Sequence, residues 1–176
     1  MKAPVAALML MTVSLAACSS SDGGDGSGAG AGSAQDALAD TTCYVGLEVG
    51  DAAYTGAACS GSTNYSSVSA IGPDSLDDTR MTVYVGLAEP PAVGPLSLDE
   101  LTFEVPNADG SISEWDATVE DCTAEAKASK VDPQMGWTYY LIDISCSSPA
   151  LPVDDVSETL SPMDVGQFTL VTFFTE

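Results

Sequence analysis

Beyond residue 40, apolar and polar residues alternate along most of the chain with the period of a β-strand. In "TTCYVGLEV" the apolar set is Cys43, Val45, Leu47 and Val49, and in "RMTVYVGLA" it is Met81, Val83, Val85 and Leu87. "ELTFEV" puts Leu101, Phe103 and Val105 on one side, and "WTYYLIDISC" does the same with Thr138, Tyr140, Ile142, Ile144 and Cys146. The last run, "GQFTLVTFF", sets Phe168, Leu170, Thr172 and Phe174 against Val171 and Phe173. Side chains of a strand point alternately to its two faces, so each run predicts a strand bounded by Gly, Pro, Asp or Ser. "CTAEAKASKV" is composed of helix-friendly residues but also alternates and is read as a strand, whereas "PLSLDEL" suits one helical turn. The fold class expected is all-β, an antiparallel β-sandwich or barrel-like domain of roughly seven to nine strands. The apolar C-terminal run is read as a core strand rather than the closing strand of a membrane barrel.

The first 39 residues follow a different pattern. Met1 and Lys2 precede a mostly apolar stretch from Ala3 to Ala17, then Cys18. Such a stretch is shorter than the roughly 20 residues a membrane-spanning helix needs and fits the core of a signal peptide. It ends in Leu15-Ala16-Ala17-Cys18, which resembles the lipobox of bacterial lipoproteins. The resemblance implies cleavage before Cys18, a diacylglyceryl group on the Cys18 thiol and acylation of the new amine. Two or three acyl chains, at about 0.8 kcal/mol per buried methylene, hold a protein stably on a membrane. Ser19 resembles the residue that follows the cysteine in lipoproteins sorted to the outer membrane of Gram-negative cells. The Ser-, Gly- and Ala-rich residues 18–39 read as a flexible tether reaching about 5–6 Å times the square root of its length. The division expected is therefore a signal peptide over 1–17, a lipidated tether over 18–39 and a β domain over 40–176.

Four cysteines remain in that domain: Cys43, Cys59, Cys122 and Cys146. An even set in an exported domain suggests two disulfides, with three connectivities open. The midpoint of Cys122 and Cys146 is Gln134, inside the turn-like "DPQMG", and that of Cys43 and Cys59 is Asp51, inside "VGDAAYTG". Residues equidistant from a hairpin turn face each other within disulfide reach, so the pairs expected are 43–59 and 122–146. Each closure stabilises by about 3 kcal/mol in the chain-entropy picture. A zinc site competes poorly, since the chain has no histidine and no CxxC pair.

Charge narrows the partners. The chain carries 26 Asp and Glu against 4 Lys and Arg, and loss of the signal peptide removes Lys2 but no acid. A surface this anionic argues against nucleic acid and against peripheral binding to anionic lipids. Adaptation to salt, binding of divalent cations and plain solubility all remain open. Without histidine, and with the domain cysteines paired, the common general base and the Ser–His and Cys–His schemes are gone. A pair of carboxylates acting as in glycoside hydrolysis is not selected by any spacing.

"VPNADGSISEWD", from Val105 to Asp116, places Asn107, Asp109, Gly110, Ile112 and Asp116 where a calcium loop has two ligands, its turning Gly, a hydrophobic position and a closing acid. The first ligand position is Val105, however, and both flanks alternate as strands, so the stretch is read as a hairpin turn. Two further acidic clusters, Asp74, Asp77 and Asp78, then Asp154, Asp155 and Glu158, are read as solvated loops able to offer oxygens to calcium. Arg80 is expected to pair with a nearby carboxylate, and Trp115, Trp137, Tyr139 and Tyr140 to be core residues rather than a sugar platform. The functional expectation is a non-catalytic, cofactor-free, lipid-anchored envelope protein with a structural or interaction role. Its alternative is a ligand-binding module for calcium or a glycan, with the membrane contacted through the anchor at Cys18.

Overall fold

The alternating runs become strands in the computed structural model, which describes residues 33–49, 52–71, 80–107, 109–153 and 160–175, with only the backbone described at 52, 53 and 55–57. In chain order these hold helix α1 (Ala34–Asp40) and strands β1 (Tyr44–Val49), β2 (Ala52–Gly61), β3 (Tyr65–Ile71), β4 (Arg80–Leu87), β5 (Gly94–Leu96) and β6 (Leu98–Pro106). β7 (Ile112–Asp116), β8 (Cys122–Val131), β9 (Thr138–Cys146), β10 (Leu151–Pro152) and β11 (Gln167–Phe174) complete them. Every strand pairing is antiparallel, in the order β10-β7-β6-β4-β3-β2-β1-β11-β9-β8-β5. The strands form two layers of five and six, the sandwich that alternation predicted. Eleven strands among the described residues exceed the expected seven to nine, chiefly because of short edge pieces. β5 and β10 span three and two residues, and each contains a proline, which blunts the sheet edges against pairing with other chains.

The core lies between the layers. Met81, Val83, Val85 and Leu87 all turn inward from β4, opposite Leu101 and Phe103 of β6. Across the sandwich, the Phe103 ring meets the edge of Phe168 on β11 at 5.9 Å between centroids. A second bridge is polar: the buried Ser66 hydroxyl of β3 bonds to the Thr172 hydroxyl of β11 and donates to the Ser60 carbonyl at 2.9 Å. Pairing these hydroxyls removes the cost of burying them alone.

Both disulfides join the expected partners, with Cα atoms 5.8 Å apart for Cys43–Cys59 and 4.0 Å for Cys122–Cys146. Cys122 stands directly opposite Cys146 in the β8–β9 ladder. The β8–β9 hairpin carries an extra residue in β8 between Ala126 and Ala128, and β2 carries one between Gly56 and Ala58 where it pairs with β3. "PLSLDEL" is corrected: it contributes to β5 and the start of β6 and forms no helical turn, because Gly94–Leu96 pairs with β8.

The tether boundary is corrected too. Residues 34–40, expected to be flexible, form α1. Ser33 caps it, accepting from the Asp36 amide while the Asp36 carboxylate accepts from the Ser33 amide, a reciprocal capping box. Seven residues do not hold a helix alone in water, so packing must stabilise it. Ala34 and Ala37 supply that packing, buried against Tyr139 and Leu141 of β9 and Val171 and Phe173 of β11. Trp137 lies flat on Phe173 at 4.2 Å, and the Lys130 ammonium donates to the Ala39 carbonyl near the end of α1. No helix among the described residues is long and apolar enough to cross a membrane.

Candidate functional site

The two outward-facing surfaces of the sheet differ in chemistry. On the surface shared by β3, β4, β6 and β7, the register sets Tyr84 opposite Thr102, Thr102 opposite Asp116, and Glu104 opposite Glu114. Directly opposed like charges repel across a sheet. Tyr84 relieves this by donating its hydroxyl to Glu104 Oε2 at 2.7 Å, and Thr102 donates to Asp116 Oδ1 at 2.7 Å. The Tyr65 and Tyr84 rings lie 6.1 Å apart, and the Tyr65 hydroxyl reaches Glu100 at 3.5 Å. The hydrogen bond to Glu104, then burial, pushes the Tyr84 pKa up to about 12. Burial first, then the Glu100 charge, raises that of Tyr65. Every step keeps the phenols protonated, as donors to carboxylates.

The surface of β1, β11, β9 and β8 is divided by α1. One part is the apolar cluster under the helix. Beside it runs an open groove: depressions of about 310 and 590 Å³ meet at Lys127 and Asp143, and a third of about 450 Å³ joins them at Tyr44, Gly46 and Thr169. Its floor is one row of the ladder, Gly46 opposite Thr169, Thr169 opposite Asp143, and Asp143 opposite Glu125. Thr169 donates to Asp143 Oδ1 at 2.7 Å, and the Lys127 ammonium is held by Glu125, which raises the Lys127 pKa. Tyr44 leans along β1 over Gly46. A Cβ at that position would stand 2.7 Å from the tyrosine hydroxyl oxygen and 3.0 Å from the ring, so only glycine lets the ring lie there. Ser33, Ala34 and Gln35 form the wall on the helix side.

The residues singled out by sequence fall in scattered places. Cys18, the cluster of Asp74, Asp77 and Asp78, and that of Asp154, Asp155 and Glu158 lie outside the described residues. The calcium-like stretch is a hairpin turn: Asn107 and Gly110 close it with a 3.0 Å backbone bond, and Gly110 takes φ +84°. The Ser111 hydroxyl and then its amide occupy the Asp109 carboxylate at 2.6 and 2.9 Å and hold its pKa below the usual carboxylate value. Of the four aromatics, Trp115 is in the main core and donates to the Ser161 carbonyl at 3.0 Å, and Tyr140 packs beside that core and donates to the Pro91 carbonyl. Trp137 and Tyr139 belong to the cluster under α1. No group of three or more His, Cys, Asp or Glu among the described residues is arranged to hold a metal ion.

Sequence reading missed the groove. Its row gathers residues near positions 46, 125, 143 and 169, and no local motif joins them; the one local signal is Tyr44 and Gly46 on the polar side of an alternating run. Comparison with family models, with curated proteins and with solved structures found no match.

Proposed function

We propose that the protein is a lipid-anchored, non-catalytic component of the bacterial cell envelope whose β-sandwich serves as an interaction domain. The observation that carries this reading is Leu15-Ala16-Ala17-Cys18 at the end of an apolar leader. On it, residues 1–17 are removed, Cys18 bears the acyl chains, and Ser19 directs the product to an outer membrane where the cell has one. Two disulfides support export, because such bonds persist in oxidising compartments. The lack of histidine, together with the pairing of all four domain cysteines, removes the usual bases and nucleophiles and supports a binding role over catalysis. An excess of acids this large disfavours nucleic acid as the partner.

Metabolic labelling with an alkyne-bearing palmitate tests the anchor. The account expects label on the wild-type chain, none on Cys18→Ser, and release of that variant into the soluble fraction. A wild-type chain that takes up no label would overturn it. The groove beside α1 favours a second reading, a ligand-binding module on the same anchor. The calcium form of that reading rests on acidic clusters outside the described residues, whereas the glycan form can be argued from the groove.

A further inference from the structure

We infer that the groove beside α1 is a saccharide-binding site, with Tyr44 as its stacking platform and the Thr169–Asp143 row as its hydrogen-bonding floor. The inference deepens the ligand-binding reading but does not depend on the anchor, since no groove residue lies near Cys18 in the chain.

Ligand class follows from what the lining can and cannot hold. An anion would need an uncommitted cation. Lys127, the one base in the groove, is already on Glu125, and the chain stands at net charge −22. An apolar small molecule needs an enclosed pocket that removes most of its surface from water, and these depressions are open, with Thr, Asp, Gln, Ser and Lys among their lining residues. A cation would meet carboxylates already engaged, Asp143 by the Thr169 hydroxyl and Glu125 by Lys127. A neutral pyranose chain matches the remainder. Its C–H face stacks on an aromatic ring, and its rim hydroxyls both donate and accept, so they pair with carboxylate, hydroxyl and amide groups without a charge partner.

Tyr44 is built for that contact. Glycine inside a strand costs roughly 1 kcal/mol relative to alanine, and here it leaves the space that the Tyr44 ring edge and hydroxyl occupy. Packing against the cluster under α1 holds the ring from one side, while it lines two of the three joined depressions. Ring and floor are thus positioned before any ligand arrives, which lowers the ordering cost of binding. The groove floor, from Gly46 on β1 across to Glu125 on β8, crosses three inter-strand spacings of about 4.8 Å, room for about three sugar rings in a row.

The test is titration calorimetry on the full mature chain carrying Cys18→Ser, with cellohexaose and chitohexaose as probes. The site predicts saturable one-to-one binding of at least one hexaose. Tyr44→Ala should weaken it at least tenfold. Gly46→Ala should weaken it to a similar degree through displacement of the ring alone, and Asp143→Asn several-fold. Ile112→Ala, in the β6–β7 hairpin, should leave it unchanged. Melting curves show which variants stay folded, and Gly46→Ala and Asp143→Asn carry the test if Tyr44→Ala does not. No saturable binding of either hexaose at millimolar concentration overturns the inference, as does binding that folded Tyr44→Ala and Gly46→Ala retain in full. Because the anchor is absent from this chain, failure here leaves the palmitate result standing, and the reverse also holds.

Discussion

β4 and β11 are equally long strands with opposite fates on their outer sides. β4 alternates as far as Val85: Met81, Val83, Val85 and Leu87 go to the core, Thr82 and Tyr84 join a polar surface of hydroxyls and carboxylates, and the exception on the outer side is the buried Gly86. β11 ends Val171-Thr172-Phe173-Phe174, all buried, because its second face is covered as well. An antiparallel sheet with one face in water shows alternation, and a strand covered on both sides loses it. The cover for β11 is α1, a helix drawn from residues whose composition reads as tether. The β1–β11–β9–β8 side of the domain is therefore a closed apolar seam beside a groove, and the acid-rich tyrosine surface is open sheet.

That contrast can be broken most severely at Phe173. Its ring is stacked by Trp137 and only 6% exposed, so Phe173→Ala should cost about 3–5 kcal/mol. Thr82→Ala on the open surface, where the hydroxyl meets Ser69 at 3.1 Å, should fall within about 0.5 kcal/mol. Urea unfolding of both variants checks the pair; equal losses would mean that the two surfaces are not differently covered.

A smaller effect is confined to the open surface. The folded pKa of Tyr84, about 12, lies above the ordinary tyrosine value of 10.0 because Glu104 accepts its hydroxyl hydrogen. A raised folded pKa contributes stability that is complete below the unfolded pKa and is lost as pH rises through the folded one. The melting temperature of the wild type relative to Tyr84→Phe should therefore decline between about pH 10 and 12. A difference that stays constant across that window would place the Tyr84–Glu104 bond elsewhere than on the native fold.

Much of the sandwich was readable because the core strands obey period two: each inward residue of β4 was named by position alone. The cysteine pairs were readable from symmetry about turns, even though the β8–β9 hairpin contains a bulge. β3 was harder, since "YSSVSAI" turns Ser66 inward, and that serine is acceptable in the core because the Ser60 carbonyl and, from the other layer, Thr172 both bond it. α1 was hidden for a related reason. Ala34 and Ala37 gain helical structure only by packing on Val171 and Phe173, more than a hundred residues later in the chain. The groove has no local signal beyond Tyr44 and Gly46, because four strands spread along the chain each supply one residue of its floor.

The account stands or falls most directly on α1 as an integral cover of the sheet, since the helix both closes the apolar seam and walls the groove. Hydrogen exchange of the chain reads this at two amides: Ala37, bonded to the Ser33 carbonyl at 3.0 Å, and Thr42, bonded to the Ala37 carbonyl at 2.8 Å. Protection of both, within tenfold of the β9 and β11 amides beneath them, is the predicted result. Exchange at the rate of an unstructured peptide would contradict it and return residues 34–40 to the tether.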